Sequence, residues 1–338
     1  MGGAAGGSGL LESPMSEFHV QVVRVGAIDK HPDADSLSIT LVFGGYPCII
    51  RTGELVEGEL AVYIPIDALV PVNQPATAFL APRAKNGVAR IRALRLRGIF
   101  SMGLLIPADP SWEEGQDVRA LLGIEKYDPP EPGAAEEAAA EVSILPVYDL
   151  EGLRRWPQAL VEGEEVVLTE KVHGANGRAC WHEGALHIGS RNQMKQADGT
   201  TPWARIARDW DLAEKLRDSP YALYFEVYGP VQDLRYGSGE LRGAVFDVLD
   251  LRSRRWLDVD EADAFVAGLG LPRVPVLYRG PWSMDLCALA EGPTIIGAGA
   301  NVREGFVVRP VKERVERRVG RVVLKLHGEG YLLRKSAG

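Results

Sequence analysis

The sequence lacks the features that mark membrane and disulfide-rich secreted proteins. No apolar run approaches the roughly 20 residues that a membrane-spanning helix needs, which predicts no membrane association. The glycine-rich residues 1–15 hold no charged stretch ahead of an apolar one, which predicts a flexible tail and not a signal peptide. Cysteine is scarce: Cys48, Cys180 and Cys287 are far apart and in no metal-binding spacing. These cysteines predict a reducing, cytoplasmic setting.

The chain has fewer basic than acidic residues, which gives a formal net charge of −8. This balance argues against a nucleic-acid partner. The distribution of charge argues the other way. Residues 82–98 hold only basic charges, and residues 301–338 carry ten lysines and arginines against four glutamates, while acids gather in residues 131–141. This segregation favours a basic binding face, with arginines lining solvated strand faces as the alternative.

Two domains are the expected organisation of a chain of 338 residues. Short β-branched and aromatic runs, divided by turn residues, predict a small β-barrel over residues 16–126. Within it, basic and apolar residues alternate from Ala89 to Arg97, which predicts one strand with a charged face. Proline, glycine and an acidic alanine tract indicate a linker over residues 127–142.

The remaining residues, 143–338, predict an α+β domain with largely antiparallel sheets, because apolar strand patterns alternate there with helical ones. The amphipathic pattern of residues 203–218 predicts one continuous helix, and a glycine stop closes a second helix at residues 261–270.

Five motifs of this second half place charged residues at the ends of apolar strands or within them. Such charges are costly unless they are paired or used. A surface β-turn explains the first motif taken alone, whereas five motifs in one order favour a shared site. The motifs are E-K-V-H-G-A-N with Lys171, S-R-N with Arg191, F-E-V-Y-G with Glu226, E-G-F-V-V with Glu304 and L-K-L with Lys325.

In this order the motifs resemble those of the covalent nucleotidyltransferases, which include RNA ligases, DNA ligases and capping enzymes. The K-x-H-G-x-N form resembles the nick-sealing RNA ligases. The stretches VGAIDKHPDADSLSI and LRGIFSMGLLIP resemble the OB barrels of tRNA-binding modules. A barrel of this kind ahead of a K-x-H-G-x-N domain resembles the RNA ligase group of Deinococcus radiodurans. The resemblance implies an OB-like β-barrel followed by an α+β, ATP-grasp-like nucleotidyltransferase domain.

The resemblance also implies three chemical steps: transfer of AMP from ATP to a lysine, transfer of AMP to a 5′-phosphate, and sealing with a 3′-OH. Lys171 is the implied nucleophile, and Lys325 would hold the ATP phosphates. His173 would act in the later steps. Glu304 would help to hold Mg²⁺ or Mn²⁺, with a strand-end ion pair as its alternative role.

A pocket for AMP follows from the same resemblance. Phe246 is the expected stacking platform for adenine, with an ordinary core position as the alternative. Gly174 is expected to permit the turn after the lysine. Because the last motif has one lysine where many phage enzymes have two, Arg321 or Lys312 could supply the second phosphate-binding cation. The other expected nucleotide contacts are Glu170, Lys171, Val172, Asn176, Arg191, Glu226, Val307 and Lys325.

The function implied in this way is ATP-dependent RNA ligation in RNA repair, by a monomer. The expected substrate is a nicked duplex of RNA, or of RNA and DNA, with RNA on the 3′-OH side. A DNA ligase or a capping-type nucleotidyltransferase is the alternative with the same chemistry. An RNA-binding adaptor without catalytic activity is the alternative from a different class.

Overall fold

The structure is a computed structural model that describes residues 18–128 and 144–334. The predicted tail and most of the predicted linker lie outside the described residues. The described chain divides into two compact units. The amino-terminal unit contains residues 18–128 together with two later segments, 153–157 and 328–334. The carboxyl-terminal unit contains residues 144–152 and 158–327.

The amino-terminal unit is built from short strands, most of them connected by glycine-containing turns. A 3-10 helix spans Ala78–Arg83, and a short α-helix spans Glu329–Arg334. The strands are β1 (Gln21–Arg24), β2 (Ile28–Lys30), β3 (Leu37–Val42), β4 (Tyr46–Arg51), β5 (Leu60–Ile64), β6 (Ala68–Pro71), β7 (Val88–Arg90), β8 (Leu94–Leu96), β9 (Ile99–Ser101), β10 (Leu104–Pro107) and β11 (Glu125–Lys126).

These strands pair antiparallel in small sheets, in the orders β1-β5-β10, β2-β3-β4, β11-β6-β7 and β8-β9. Within the described part of the unit the sheets do not close into one continuous barrel, which corrects the prediction of a barrel. The break between β5 and β6 has a local cause, because Pro65 has no backbone N–H to donate and Asp67 is left-handed with φ +67°. Apolar residues of the sheets pack in two adjoining clusters.

The basic segment from Ala89 to Arg97 is not one strand. β7 ends at Arg90 and pairs with β6, whereas β8 begins at Leu94 and pairs with β9. Ile91 and Ala93 between them are buried, but the alternation breaks where the apolar Ala93 and Leu94 follow each other. One straight strand could not place the apolar residues on both sides of this break on the same face. The prediction of a single charged-face strand is therefore wrong.

The segment 153–157 packs on the turn between β3 and β4. Leu153 is buried, and the guanidinium of Arg155 lies 3.2 Å from the centre of the Phe43 ring. A Cβ on Gly45 would lie 2.3 Å from the carbonyl oxygen of Arg154, so only glycine fits at this turn. These contacts make the segment a structural part of the amino-terminal unit.

The carboxyl-terminal unit holds two antiparallel sheets and a small hairpin. The first sheet has the order β12-β24-β21-β13-β20, with β12 and β24 parallel, and the second has the order β16-β15-β14-β17-β18-β19. The strands are β12 (Glu151–Gly152), β13 (Glu165–Glu170), β14 (Ala175–His182), β15 (Ala185–Ser190), β16 (Met194–Lys195), β17 (Tyr221–Tyr228), β18 (Arg242–Asp250), β19 (Arg255–Trp256), β20 (Val276–Pro281), β21 (Gly305–Pro310), β22 (Val315–Glu316), β23 (Gly320–Arg321) and β24 (Leu324–His327).

The α-helices that follow or connect these strands are α1 (Pro202–Asp209), α2 (Leu212–Lys215) and α3 (Val259–Gly268). Two 3-10 helices span Pro157–Ala159 and Met284–Ala290. Thr201 precedes helix α1 as its N-cap, and its side chain accepts a hydrogen bond from the Ala204 N–H. The predicted continuous helix over 203–218 is wrong, because Asp211 is left-handed and separates α1 from α2. None of the described helices is long and apolar enough to cross a membrane.

The K-x-H-G motif, residues 171–174, lies where the two sheets of this unit meet along the chain. Strand β13 lies inside the first sheet, between β20 and β21, and β14 lies inside the second, between β15 and β17. Residues 171–174 connect β13 to β14. The predicted α+β fold with antiparallel sheets is therefore confirmed, and it places K-x-H-G between the sheets.

Candidate active site

Lys171 is the first residue after β13, and main-chain bonds fix its position. Its N–H donates to the carbonyl oxygen of Gly305 at 3.0 Å, and the N–H of Glu170 donates to Pro275 at 2.8 Å. The preceding Val166 and Leu168 are fully buried. A buried central strand therefore holds the lysine backbone rigidly, which a site for precise chemistry requires.

The side chain of Lys171 is bound to Glu304, with Nζ 2.8 Å from Oε1. Glu304 immediately precedes β21, which pairs with β13 so that Phe306 lies opposite Glu170. The glycine of E-G-F-V-V has a steric reason: a Cβ on Gly305 would lie 1.9 Å from the carbonyl oxygen of Leu326. Pairing of two motif strands thus explains why these charges meet.

His173 bridges Glu304 to a second carboxylate. Its Nδ1 lies 3.1 Å from Glu304 Oε2, and its Nε2 lies 2.6 Å from Asp233 Oδ1. The ring is almost completely buried, and the His173 N–H donates to the hydroxyl of Tyr236. The predicted site residues Lys171, His173 and Glu304 therefore form one hydrogen-bonded cluster.

His327 is a member of this cluster that the sequence analysis missed. Its Nε2 lies 3.3 Å from Glu304 Oε1, and burial lowers the pKa of its imidazole. A signal was present in the sequence, because residues two apart on a strand share a face and His327 follows Lys325 by two positions on β24.

The charges of the cluster influence each other strongly. Burial lowers the pKa of Lys171, but the carboxylates of Glu304 and Glu226 outweigh it, so the pKa lies above its ordinary value. Burial raises the pKa of Glu304, yet Lys171 and two histidines hold it well below its usual range. Burial raises the pKa of Glu226 to about 8, against the opposing effect of Lys171. At neutral pH these three groups are thus an ammonium on Lys171, a carboxylate on Glu304 and a largely neutral acid on Glu226.

Gly174 is needed for space. A Cβ there would lie 2.2 Å from the carbonyl oxygen of Val227 on β17, and the Gly174 N–H donates to the Glu226 carboxyl. The backbone of Gly174 is not in the left-handed region. The expectation that it permits a special turn is therefore replaced by a requirement for close approach to β17.

Three of the expected nucleotide contacts carry buried polar atoms that have no hydrogen-bond partner in the structure: Glu170 Oε1, Asn176 Oδ1 and Arg191 Nε. Buried polar atoms are nearly always paired in native proteins, so atoms of this kind need an explanation. Asn176 lies opposite Glu226 in the pairing of β14 with β17, and Arg191 follows β15 directly. A bound nucleotide, rich in donors and acceptors, fits such a set.

Arg191 has a second anchor that the sequence did not indicate. Its guanidinium donates to Asp149 Oδ2 at 2.7 Å. The positive charge of Arg191 also lies close enough to Lys171 to act against the rise in the pKa of that lysine. Asp149 lies in the irregular segment before β12, which carried no motif.

Phe246 is the extra residue of a β-bulge in β18, because Val245 pairs with Phe225 and Asp247 pairs with Tyr224. Bulges turn side chains out of the regular alternation and are frequent next to active sites. Phe246 is half-buried and packs on Tyr148, with ring centres 4.8 Å apart. It is therefore partly a core residue with part of its surface accessible.

The remaining predicted contacts lie on β21 and β24 and in the nucleophile motif. Val307 is half-buried and pairs with both Thr169 and Lys325. Val172 is buried, so little of its side chain is accessible to a ligand.

The two further candidates for a phosphate-binding cation are engaged elsewhere. Arg321 has a side chain that is only 10% exposed, and it pairs with Asp247 at 2.6 Å and with Glu313 at 2.7 Å. Lys312 is exposed and pairs with Asp258 at 2.9 Å. Of the three basic residues considered, Lys325 is the one that lies beside the cluster, since it lowers the pKa of His327.

Among the described residues, no group of three or more His, Cys, Asp and Glu side chains forms a ready metal site. Glu304 has carboxylate chemistry suited to Mg²⁺ or Mn²⁺, but its oxygens contact Lys171 and histidines. Mg²⁺ in nucleotide-binding sites commonly takes one or two carboxylates together with substrate phosphates and water. Glu304 fits a metal of that kind, which binds together with the nucleotide.

Lysine, glutamates and histidine arranged in this way are the set by which the sequence resembles the covalent nucleotidyltransferases. Residues 164–327 match the model of the RNA ligase family, and residues 19–108 match the model of an OB-fold domain. The carboxyl-terminal unit therefore contains a domain similar to those of the RNA ligase family, preceded by an OB-fold domain. The predicted class of enzyme and the OB-like fold are confirmed, while the likeness to the Deinococcus group stays a prediction.

Solved structures of Naegleria gruberi RNA ligase are similar to this chain over nearly its whole length. A lysine-to-alanine variant with ATP and Mn has a TM-score of 0.83 and 23% identity, covering 93% of this chain and 98% of that chain. The same ligase with PPi has a TM-score of 0.83 and 22% identity, covering 95% and 100% of the two chains. At this level of identity the likeness shows the fold.

A curated relative of a different kind matches a shorter part of the chain. The phenylalanine–tRNA ligase beta subunit of Leptospira interrogans serovar Lai is 34% identical over 111 residues. The match covers 32% of this chain and 12% of that protein, and a second serovar matches at 32% identity. The chain thus spans about an eighth of the length of these relatives.

The raised pKa of Glu226 predicts a pH-dependent response to substitution. Below about pH 8 the side chain is mostly neutral and resembles glutamine, and above that pH it becomes a carboxylate. We expect Glu226→Gln to bind a non-hydrolysable ATP analogue within about threefold of the unmodified protein at pH 7, and Glu226→Ala to bind about tenfold more weakly. Titrations from pH 6 to 9.5 should show the glutamine variant diverging above pH 8. Equally weakened binding of the ATP analogue by both substitutions at pH 7 would contradict a neutral Glu226 that contacts the nucleotide.

Proposed function

We propose that the protein is an ATP-dependent RNA ligase that adenylylates Lys171, transfers AMP to a 5′-phosphate and seals it to a 3′-OH. The observation that carries the proposal is the convergence of Lys171, His173, Glu226 and Glu304 within the residues that match the RNA ligase family. The unpartnered buried atoms of Glu170, Asn176 and Arg191 support a nucleotide as the ligand. The solved Naegleria ligases with ATP or AMP and Mn support ATP and a divalent metal.

The first step needs an uncharged lysine. In the reaction a bond forms between Lys171 Nζ and the α-phosphorus of ATP, the bond to the β-phosphate oxygen breaks, and pyrophosphate leaves. Deprotonating a lysine of ordinary pKa at pH 7 costs roughly 4 to 5 kcal/mol, and the pairing with Glu304 increases that cost. The ion pair with Glu304 therefore favours the protonated form of Lys171, and this proton has to leave before the bond to phosphorus can form.

Binding of ATP together with a divalent metal would shift Lys171 from its protonated towards its neutral form. Glu304 would hold a divalent metal that binds together with ATP, and the metal would supply positive charge for the leaving pyrophosphate. Glu304 engaged in this way would release Lys171. Lys171 freed from Glu304 keeps its desolvated surroundings, and these favour the neutral amine. We assign Lys325 to the ATP phosphates, Glu226 to the ribose hydroxyls and Arg191 to the sugar and its phosphate. Phe246 and Val307 contact the two faces of adenine, and Glu170 contacts its edge.

We assign the RNA substrate to the OB-fold domain and its basic segment. Arg97 donates to a carbonyl of the unit, and Arg95 pairs with Glu329 with about half of its side chain exposed. Arg90 is paired with Asp67 and stacked on Tyr127, so it contributes less positive charge to a partner. The match to phenylalanine–tRNA ligase beta subunits supports RNA as the partner.

We further propose that the protein is a cytoplasmic monomer that repairs RNA. Cys48 and Cys180 are buried thiols outside any disulfide, and burial raises the pKa of each to about 12. Thiols in this state suit a reducing compartment.

Nicked duplexes test the proposed substrate. The piece that supplies the 3′-OH and the piece that supplies the 5′-phosphate are each made of RNA or of DNA in turn, which gives four duplexes. We expect sealing when RNA supplies the 3′-OH, whether the 5′-phosphate strand is RNA or DNA. A 2′-OH favours A-form geometry and offers a donor and an acceptor that DNA lacks. Because sealing requires the 3′-oxygen in line with the activated phosphate, DNA on that side should slow sealing about 100-fold.

The sign of this selectivity is accumulation of adenylylated 5′ ends when the 3′-OH strand is DNA. The amount of lysine adenylylation serves as the control, since it precedes contact with the nick and should be the same for all four duplexes. Equal sealing of all-DNA and RNA-ended nicks, with no adenylylated intermediate, would overturn the proposed preference.

A further inference from the structure

The loop between β17 and β18 contacts His173 of the K-x-H-G motif, although the loop belongs to none of the five motifs. It spans residues 229–241 and is anchored at both its base and its middle. At the base, Gly229 has φ +103° and a Cβ there would lie 2.3 Å from the carbonyl oxygen of Glu240. In the middle, Leu234 and Tyr236 are buried. The loop is therefore a fixed part of the site.

Two residues of this loop hold His173. Asp233 Oδ1 lies 2.6 Å from His173 Nε2, and the hydroxyl of Tyr236 accepts the His173 N–H. Tyr236 is left-handed with φ +52°, a strained conformation for a bulky residue. Strain of this kind persists only where the surroundings demand it, and it clusters at functional sites.

His173 has two carboxylate partners that differ in their other roles. Glu304 also binds Lys171 and His327 and, by the proposed function, a metal with the nucleotide. Its hold on His173 is therefore open to competition during the reaction. The bond from His173 Nε2 to Asp233 lies on the other ring nitrogen and does not depend on Glu304.

We propose that Asp233 is the positioning residue of His173, and that it keeps the imidazole in place in the steps that follow lysine adenylylation. The inference rests on the proposed function, in which the histidine acts after the lysine has been charged. A misplaced catalytic group costs large factors in rate, so loss of Asp233 should appear in the later steps and spare the first.

The test separates the three steps with purified full-length protein. Labelled ATP measures lysine adenylylation, isolated lysyl-AMP protein measures transfer to a 5′-phosphate, and a nick with a preformed AMP cap measures sealing. We expect Asp233→Ala to adenylylate within about threefold of the unmodified protein and to lose at least about tenfold in AMP transfer or sealing. His173→Ala should show the same pattern. The double variant should lose no more than His173→Ala alone, because the two residues act as one unit.

The matched control is Asp260→Asn, since the Asp260 side chain is 57% exposed like that of Asp233 and is also ion-paired. It should leave all three steps unchanged. Normal later steps in Asp233→Ala, equal loss in all steps, or additive losses in the double variant would each overturn the proposal. If the alanine variant does not fold, Asp233→Asn decides, because it keeps the oxygen acceptor with a weaker bond. A loss confined to the later steps then supports the role, and unchanged rates refute it. Absence of adenylylation in the unmodified protein would instead refute the proposed function.

Discussion

Replacement of Lys171 by alanine is expected to abolish transfer of label from ATP to the protein. Lys171 Nζ is the only atom of this side chain that can form a bond to phosphorus, and β13 fixes its position. Lys171→Arg should fail as completely, because guanidinium stays protonated and cannot act as the nucleophile. The measurement is gel and mass-spectrometric detection of AMP on the protein after incubation with labelled ATP.

Lys312→Ala is the matched control, since Lys312 is an exposed lysine paired with Asp258 on the same unit. It should acquire AMP as the unmodified protein does. AMP on any other residue in either Lys171 variant would show that the nucleophile has been wrongly assigned.

Substitution of Asp247 is expected to give the largest loss of stability. Its side chain is fully buried, accepts from Tyr148 at 2.7 Å, and pairs with Arg309 at 2.9 Å and Arg321 at 2.6 Å. Burial raises the pKa of Asp247, but the two arginines hold it well below its usual range. Asp247→Asn leaves two buried guanidinium groups short of a counter-charge, which should cost roughly 3 to 5 kcal/mol in the free energy of unfolding.

Urea denaturation of the full-length protein measures this loss, with Asp260→Asn as the comparison. Asp260 forms a surface pair with Arg279, so its loss should leave the unfolding midpoint unchanged. A similar midpoint for both variants would mean that Glu313, which also pairs with Arg309, compensates for the missing carboxylate.

Sequence reasoning recovered the parts of the site that strand pairing determines. Lys171 and Glu304 occupy the ends of two apolar runs, and apolar runs of this kind become neighbouring strands in an antiparallel sheet. Asn176 and Glu226 meet for the same reason, as paired residues of β14 and β17. The order and strand context of the motifs therefore carried enough information to predict which charges converge.

Apart from His327, which the two-residue period of β24 could have revealed, the missed residues lie where no periodic pattern exists. Asp233 and Asp149 come from irregular segments, and a single acidic residue in a loop does not reveal which partner it will reach. Bulges and breaks were equally hidden. The position of Phe246 depends on one extra residue in β18, and the end of α1 depends on the left-handed Asp211. Both are decided by tertiary packing, which outweighs local propensity.

The packing of residues 153–157 and 328–334 in the amino-terminal unit has a consequence for synthesis of the chain. A ribosome makes residue 128 long before it makes residue 334, and at roughly 5 to 20 residues per second the delay amounts to about 10 to 40 seconds. During that interval the first unit emerges without the helix Glu329–Arg334, whose first residue pairs with Arg95. The unit whose strands are synthesised first is therefore completed only after the helix Glu329–Arg334 has been made.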